Sequence, residues 1–263
     1  MRDLLAGDHW RVAGHSAGGV AYFASQVVSL LAERNLRSPV VPKESLVSCV
    51  TAAALSGTKE AFSALLTEMR RSRVSALALA DIYIPMAARQ MGAAWADDEM
   101  SWLNVTIGVG RLQSLLREIG SAWAADQAGD TGHGTVLLII PESEQHTLGP
   151  MVAMGQMRRY GVSVCLRIAP TAQELRSLVA TRSFDGVLIS VACQEQLESV
   201  RKTVKVLKSI LTSPLPIIVG GAVMTKVGDV ASCTGADFAS NDVGAALEVI
   251  GLKFDAFCVL KRA

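Results

Sequence analysis

Residues Glu144 to Gly149 read Glu-Gln-His-Thr-Leu-Gly, with a carboxylate two residues before an imidazole and a glycine three after it. A neutral imidazole is a nitrogen donor for a transition metal, and a carboxylate on its other ring nitrogen fixes the tautomer and raises ligand basicity. Random placement of 24 acidic residues, 4 histidines and 22 glycines in 263 positions gives roughly 0.03 matches to this spacing, so context must decide. The motif lies between an apolar strand-like run, Val136 to Ile140, and a helix-like run, Met151 to Tyr160. His146 is therefore expected on a strand-to-helix loop.

Beyond this unit the alternation continues. Val162 to Ile168 precedes Ala172 to Thr181, Gly186 to Val191 precedes Glu195 to Leu211, and Ile217 to Val219 precedes Val223 to Val227. Ala236 to Phe238 followed by Val243 to Ile250 offers a fifth strand and helix. The pattern predicts an α/β domain with a parallel sheet wrapped by helices, in which ligands bind at the carboxyl ends of the strands. Ser190, Gly220 and Gly221 fall at such ends, and small residues there would let a flat or threaded ligand approach the backbone.

The first half reads differently. Val20 to Leu31, Leu46 to Leu55, Thr58 to Arg70, Val74 to Met91 and Met100 to Ile119 carry apolar residues at the three-and-four spacing of amphipathic helices, and Pro85 should kink the fourth or begin its last segment. Four units are expected: an N-terminal arm and first helix over 1–39, a helical bundle over 40–120, a linker over 121–134, and the α/β domain over 135–263. The arm holds His9, Trp10 and His15, and Phe254 to Ala263 reads as a short tail.

Half of the residues are hydrophobic, enough for a sizeable core, and the formal net charge of +1 lacks the footprint of a protein that grips nucleic acid alone. Five scattered cysteines without a C-x-x-C pair read as buried free thiols. The polar opening residues and the absence of a long uninterrupted apolar stretch predict a soluble, cytoplasmic protein.

Taken together, these residues resemble the cobalamin-binding domain, whose pattern is D-x-H-x-x-G, then S-x-L, then G-G. The counterparts are Glu144, His146 and Gly149, then Ser190, then Gly220 and Gly221, followed by Gly235-Ala236-Asp237. Two departures stand out: Glu144 is one methylene longer than the usual Asp, and Ala192 replaces the Leu of S-x-L. The resemblance implies base-off binding, with His146 as the lower cobalt ligand and Glu144 on its other nitrogen. It also implies that Gly149 and Gly155 leave room for the nucleotide tail, that Ser190 bonds the buried benzimidazole, and that Gly220 and Gly221 line the slot.

The segment Met91 to Trp95 with Asp97-Asp98-Glu99 resembles the cap of light-sensing B12 regulators, in which a tryptophan covers the upper face; Trp95 holds that place, bundle core being its other reading. Those with a DNA-binding head carry Glu-His ten and eleven residues on, where this chain has Val105 and Thr106. A cobalamin domain, such a bundle and no helix-turn-helix pattern resemble the AerR/PpaA antirepressors of photosynthetic bacteria over residues 40–252. That family implies a regulator rather than an enzyme. It would hold adenosylcobalamin in the dark or hydroxocobalamin after light, and bind a CrtJ/PpsR-type repressor instead of DNA. A corrinoid methyl carrier and a B12 storage or delivery protein are the alternatives. His9, His15, His133 or water would supply an upper ligand after photolysis.

Overall fold

The computed structural model describes residues 42–126, 133–142, 144–211 and 213–252. The N-terminal arm with His9 and His15, the helix expected over Val20–Leu31 and the tail from Phe254 lie outside the described residues, as do residues 127–132 of the expected linker.

The first described half is helical. Helix α1 (Glu44–Ser56) ends at Gly57 in the left-handed conformation, and Thr58 caps α2 (Lys59–Arg71) by accepting from the Ala61 N–H. The stretch expected as one kinked helix is three pieces: a short α3 (Ala76–Ala78) capped by Ser75, a π-helical turn over Leu79–Tyr83, and α4 (Ile84–Ala96) with Pro85 in its first turn. Proline has no N–H to give the ladder, and a widened turn before it accommodates the break. Helix α5 (Trp102–Asp126) runs past the expected boundary at 120. Its last residues, Ser-Ala-Trp-Ala-Ala-Asp, resemble a linker in composition, yet alanine is the best helix former.

The second half holds β1 (Thr135–Ile140), α6 (Leu148–Arg159), β2 (Ser163–Ile168), α7 (Ala172–Thr181), β3 (Gly186–Ser190), α8 (Leu197–Ile210), β4 (Ile217–Gly220), α9 (Val230–Thr234), β5 (Phe238–Ala239) and α10 (Val243–Ile250). All strand pairs are parallel, in the order β2-β1-β3-β4-β5. The helix expected at Val223–Val227 is one 3-10 turn, Ala222–Thr225, after which Asp229 caps α9. Of the cysteines, Cys165 is buried as expected, whereas Cys49 and Cys193 are half-buried and Cys233, on α9, is exposed.

Alternation along the strands gives the sheet two apolar faces. Leu137, Ile139, Val187, Ile189, Ile217 and Val219 pack with α7, α8 and α9. Val136, Leu138, Leu188 and Ile218 face α6 and α10. The layers are thus the bundle, α6 with α10, the sheet, and α7 to α9. Helix α6 serves two cores: Met157 packs on the sheet, whereas Leu148 and Val152 belong to the bundle core with Leu112, Leu115 and Ile119. Among the described residues no helix is long and apolar enough to cross a membrane.

Candidate functional site

The strand order reverses between β1 and β3, so the loops leaving them diverge and open a crevice at the carboxyl edge of the sheet. His146 lies on the loop after β1 and Ser190 ends β3, so both occupy that crevice. Glu144 joins its two sides. Its Oε1 accepts from the His146 backbone N–H at 2.8 Å and lies 2.7 Å from Nδ1 of the same ring. Its Oε2 accepts from the Ala192 N–H, on the loop after β3, at 2.8 Å.

The Glu144 side chain is fully buried while that of His146 is 65% exposed. Burial pushes the Glu144 carboxyl upward, but the hydrogen bonds from the His146 ring, the His146 N–H and the Ala192 N–H outweigh it and hold the group below its ordinary range. The hydrogen bond to Glu144 raises His146 above its ordinary value, against burial and the positive charge of Lys226. With Nδ1–H donated to the carboxylate, the lone pair resides on Nε2, the nitrogen free to take a metal.

The extra methylene of Glu144 gives the reach that bridges two loops. Ala192 works through its backbone N–H, so the missing leucine side chain costs this contact nothing. No pattern in the chain marks that amide in advance.

The glycines divide. Gly149 is exposed, and a Cβ there would meet nothing within 4 Å. Gly155 is half-buried, where a Cβ would only touch Arg159 at 3.4 Å. Gly220, in register with Ser190, could not carry a side chain because a Cβ would lie 2.4 Å from the Ser240 carbonyl oxygen. At Gly221, with φ +120°, it would lie 2.2 Å from that of Val191. Both glycines are thus required by close approaches of the chain's own backbone. Ser190 is half-buried.

Trp95 is 51% exposed and Trp102 66%, so neither is bundle core. Helix α6 packs along the second half of α5, where Gln113 donates to the Thr147 hydroxyl at 2.8 Å, and against the π-helical turn, where Arg159 pairs with Asp81 at 2.6 Å. The first half of α5 therefore extends about ten residues, roughly 15 Å, beyond the His146 loop. Trp102, Leu103 and Ile107 lie exposed on that overhang, and Trp95 ends the adjoining α4.

His133 is placed otherwise than expected. It precedes β1 at the amino edge of the sheet, packed where Gly161 leaves room, and the six-residue strand separates it from the His146 loop by about 20 Å. It cannot reach the upper side of a group held by His146 in this fold.

No family model matches the chain. The fold is that of the Methanosarcina barkeri monomethylamine corrinoid protein, with a TM-score of 0.60 at 15% identity over 78% of this chain and 94% of that one. A 20.5 kDa protein of the bchF-crtJ intergenic region of Rhodobacter capsulatus is 39% identical over 188 residues, 72% of this chain and 98% of its own length. The chain belongs to the family of that Rhodobacter protein, on a fold shared with the Methanosarcina corrinoid protein.

Proposed function

We propose that this protein binds cobalamin base-off, with His146 as the lower ligand, and acts in the cytoplasm as a light-responsive antirepressor through a CrtJ/PpsR-type repressor. The observation that carries the reading is His146 itself: a solvent-facing Nε2 backed by a buried carboxylate at the switch point of the sheet. Among the described residues no group of three or more His, Cys, Asp or Glu comes together, so a metal held here would bring its other ligands with it, as a macrocycle does.

The layer under the site suits an apolar tail. Leu188 lies on the central strand yet keeps 8% exposure, while its neighbours Val187 and Ile189, on the opposite face, have 0% and 1%. Val164, Leu166, Met154 and Val243 beside it are half-buried. The open space at Gly149 and the hydroxyl of Ser190 are at the carboxyl end of the α6–α10 layer.

When bound, adenosylcobalamin would supply a cobalt–carbon bond that light can cleave. The work of this chain is to hold the metal from below through His146, keep the imidazole in the right tautomer through Glu144, and exclude water from above with the exposed tryptophans of the overhang. A change of occupancy beneath that overhang alters which apolar surface faces solvent, which is the differential contact a protein partner can read. The location of the relative in the bchF-crtJ region supports a repressor as that partner. We assign the protein no catalytic step.

The test is an absorption spectrum of purified holo-protein before and after illumination, with titration of both states against the repressor. His146→Ala serves as the ligand control. A changed spectrum and a changed affinity are expected. Identical affinities in light and dark would overturn the regulatory reading and favour a methyl carrier or storage protein.

A further inference from the structure

Thr147 occupies the residue before α6, where a threonine hydroxyl ordinarily accepts from the first N–H groups of the helix. Here it does not. Its backbone is helical, with φ −91° and ψ −13°, and its side chain makes no cap hydrogen bond. The hydroxyl accepts instead from Gln113 Nε2, 34 residues away on α5, at 2.8 Å. The two arrangements exclude each other, because a capping threonine adopts extended backbone and turns its oxygen onto its own helix. Pro150 lacks an N–H, so the Gly149 N–H is the donor it would find.

We infer that Gln113 is a positioning residue for His146, and that Thr147 is a two-position latch between a state bonded to the helical cap and a state capping its own helix. Rotating Thr147 from helical to extended backbone swings the adjoining residue His146 relative to α6. That would pull the ring from Glu144 and break the loop's tie to Ala192. The rest of α6 is fixed to the bundle by Leu148 and Val152 and by the Arg159–Asp81 pair, so the rotation is confined to the loop. Loss of the Gln113 bond releases Thr147, and the bond in place pins it. The latch stands on this geometry alone; that it regulates cobalt ligation rests on the function proposed above.

The experiment compares Gln113→Leu, Thr147→Val and the double variant in the cofactor-free full chain, reading amide hydrogen exchange at His146 and Ala192, with Ile139 as the fold control. Gln113→Leu should lower protection at both amides about tenfold, the scale of one helix cap, with Ile139 unchanged. Thr147→Val, which has no hydroxyl to cap with, should leave protection near that of the parent protein. It should also restore protection in the Gln113→Leu background. A simple lost contact would leave the double variant at least as exposed as Gln113→Leu, and that result, or unchanged protection in Gln113→Leu, would overturn the latch. Cobalamin binding by the same variants is measured separately. Failure of the parent chain to bind cobalamin would defeat the proposed function while leaving the exchange result to judge the latch.

Discussion

Glutamine at position 144 keeps the shape of the side chain and alters only its hydrogen-bonding pattern. The carboxylate satisfies three donors at once, the His146 N–H and Nδ1–H through Oε1 and the Ala192 N–H through Oε2. An amide has one acceptor oxygen. If it stays with His146, the NH2 meets the Ala192 N–H donor to donor. If it turns to Ala192, the NH2 meets the His146 N–H, and Nδ1 becomes the acceptor, which moves the ring proton to Nε2 and removes the lone pair a metal needs. Either conflict strands a buried donor at a cost of about 1–3 kcal/mol, and a charge-assisted bond is lost as well. Glu144→Gln should therefore destabilise the cofactor-free protein by about 2–4 kcal/mol and weaken metal ligation by about 10–100-fold. Urea unfolding with an unchanged slope measures the first, and the cobalt(II) EPR spectrum, whose splitting reports an axial nitrogen, measures the second. An unshifted midpoint together with intact nitrogen splitting would refute the bridging role of Glu144.

Gly221→Ala forces a side chain into φ +120° and against the Val191 carbonyl, and should cost roughly 2–6 kcal/mol in urea unfolding. Burial pushes the Asp81 carboxyl up despite Arg159, so the pair is held at an electrostatic cost; Asp81→Ala should still destabilise by about 3 kcal/mol, and Asp81→Leu with Arg159→Met should recover most of it in a double-mutant cycle. The stability due to raised His146 is fully present below pH 6.5 and is lost as pH rises through its folded value, whereas that due to lowered Glu144 is present above pH 4.5 and is lost as pH falls through its folded value. Unfolding of the cofactor-free protein should thus show the pair at full strength between pH 4.5 and 6.5, while ligation through deprotonated Nε2 strengthens as pH rises; removing both side chains should flatten the stability profile.

The local pattern of the chain was sufficient for the parallel α/β half, the helical half and the acid-x-His-x-x-Gly loop, because a strand or helix that buries one face must repeat its apolar residues at the period of that element. The same logic identified Ser190 and the glycine pair as strand ends. It did not extend to the reason for Gly220 and Gly221, which is the crossing of backbone segments from Val191 and Ser240. Nor did it reach the bond from Glu144 to the Ala192 amide, since backbone donors carry no residue signature. The end of α5 is not legible in sequence because alanine and serine serve linkers and helices alike, and apolar periodicity alone does not distinguish the π turn before Pro85 from α-helix. His133 had the right chemistry for a ligand and the wrong edge of the sheet. Strand order, the overhang carrying Trp95 and Trp102, and the Gln113–Thr147 bond all join residues distant in sequence, and such contacts are set by how the layers pack rather than by any neighbour along the chain.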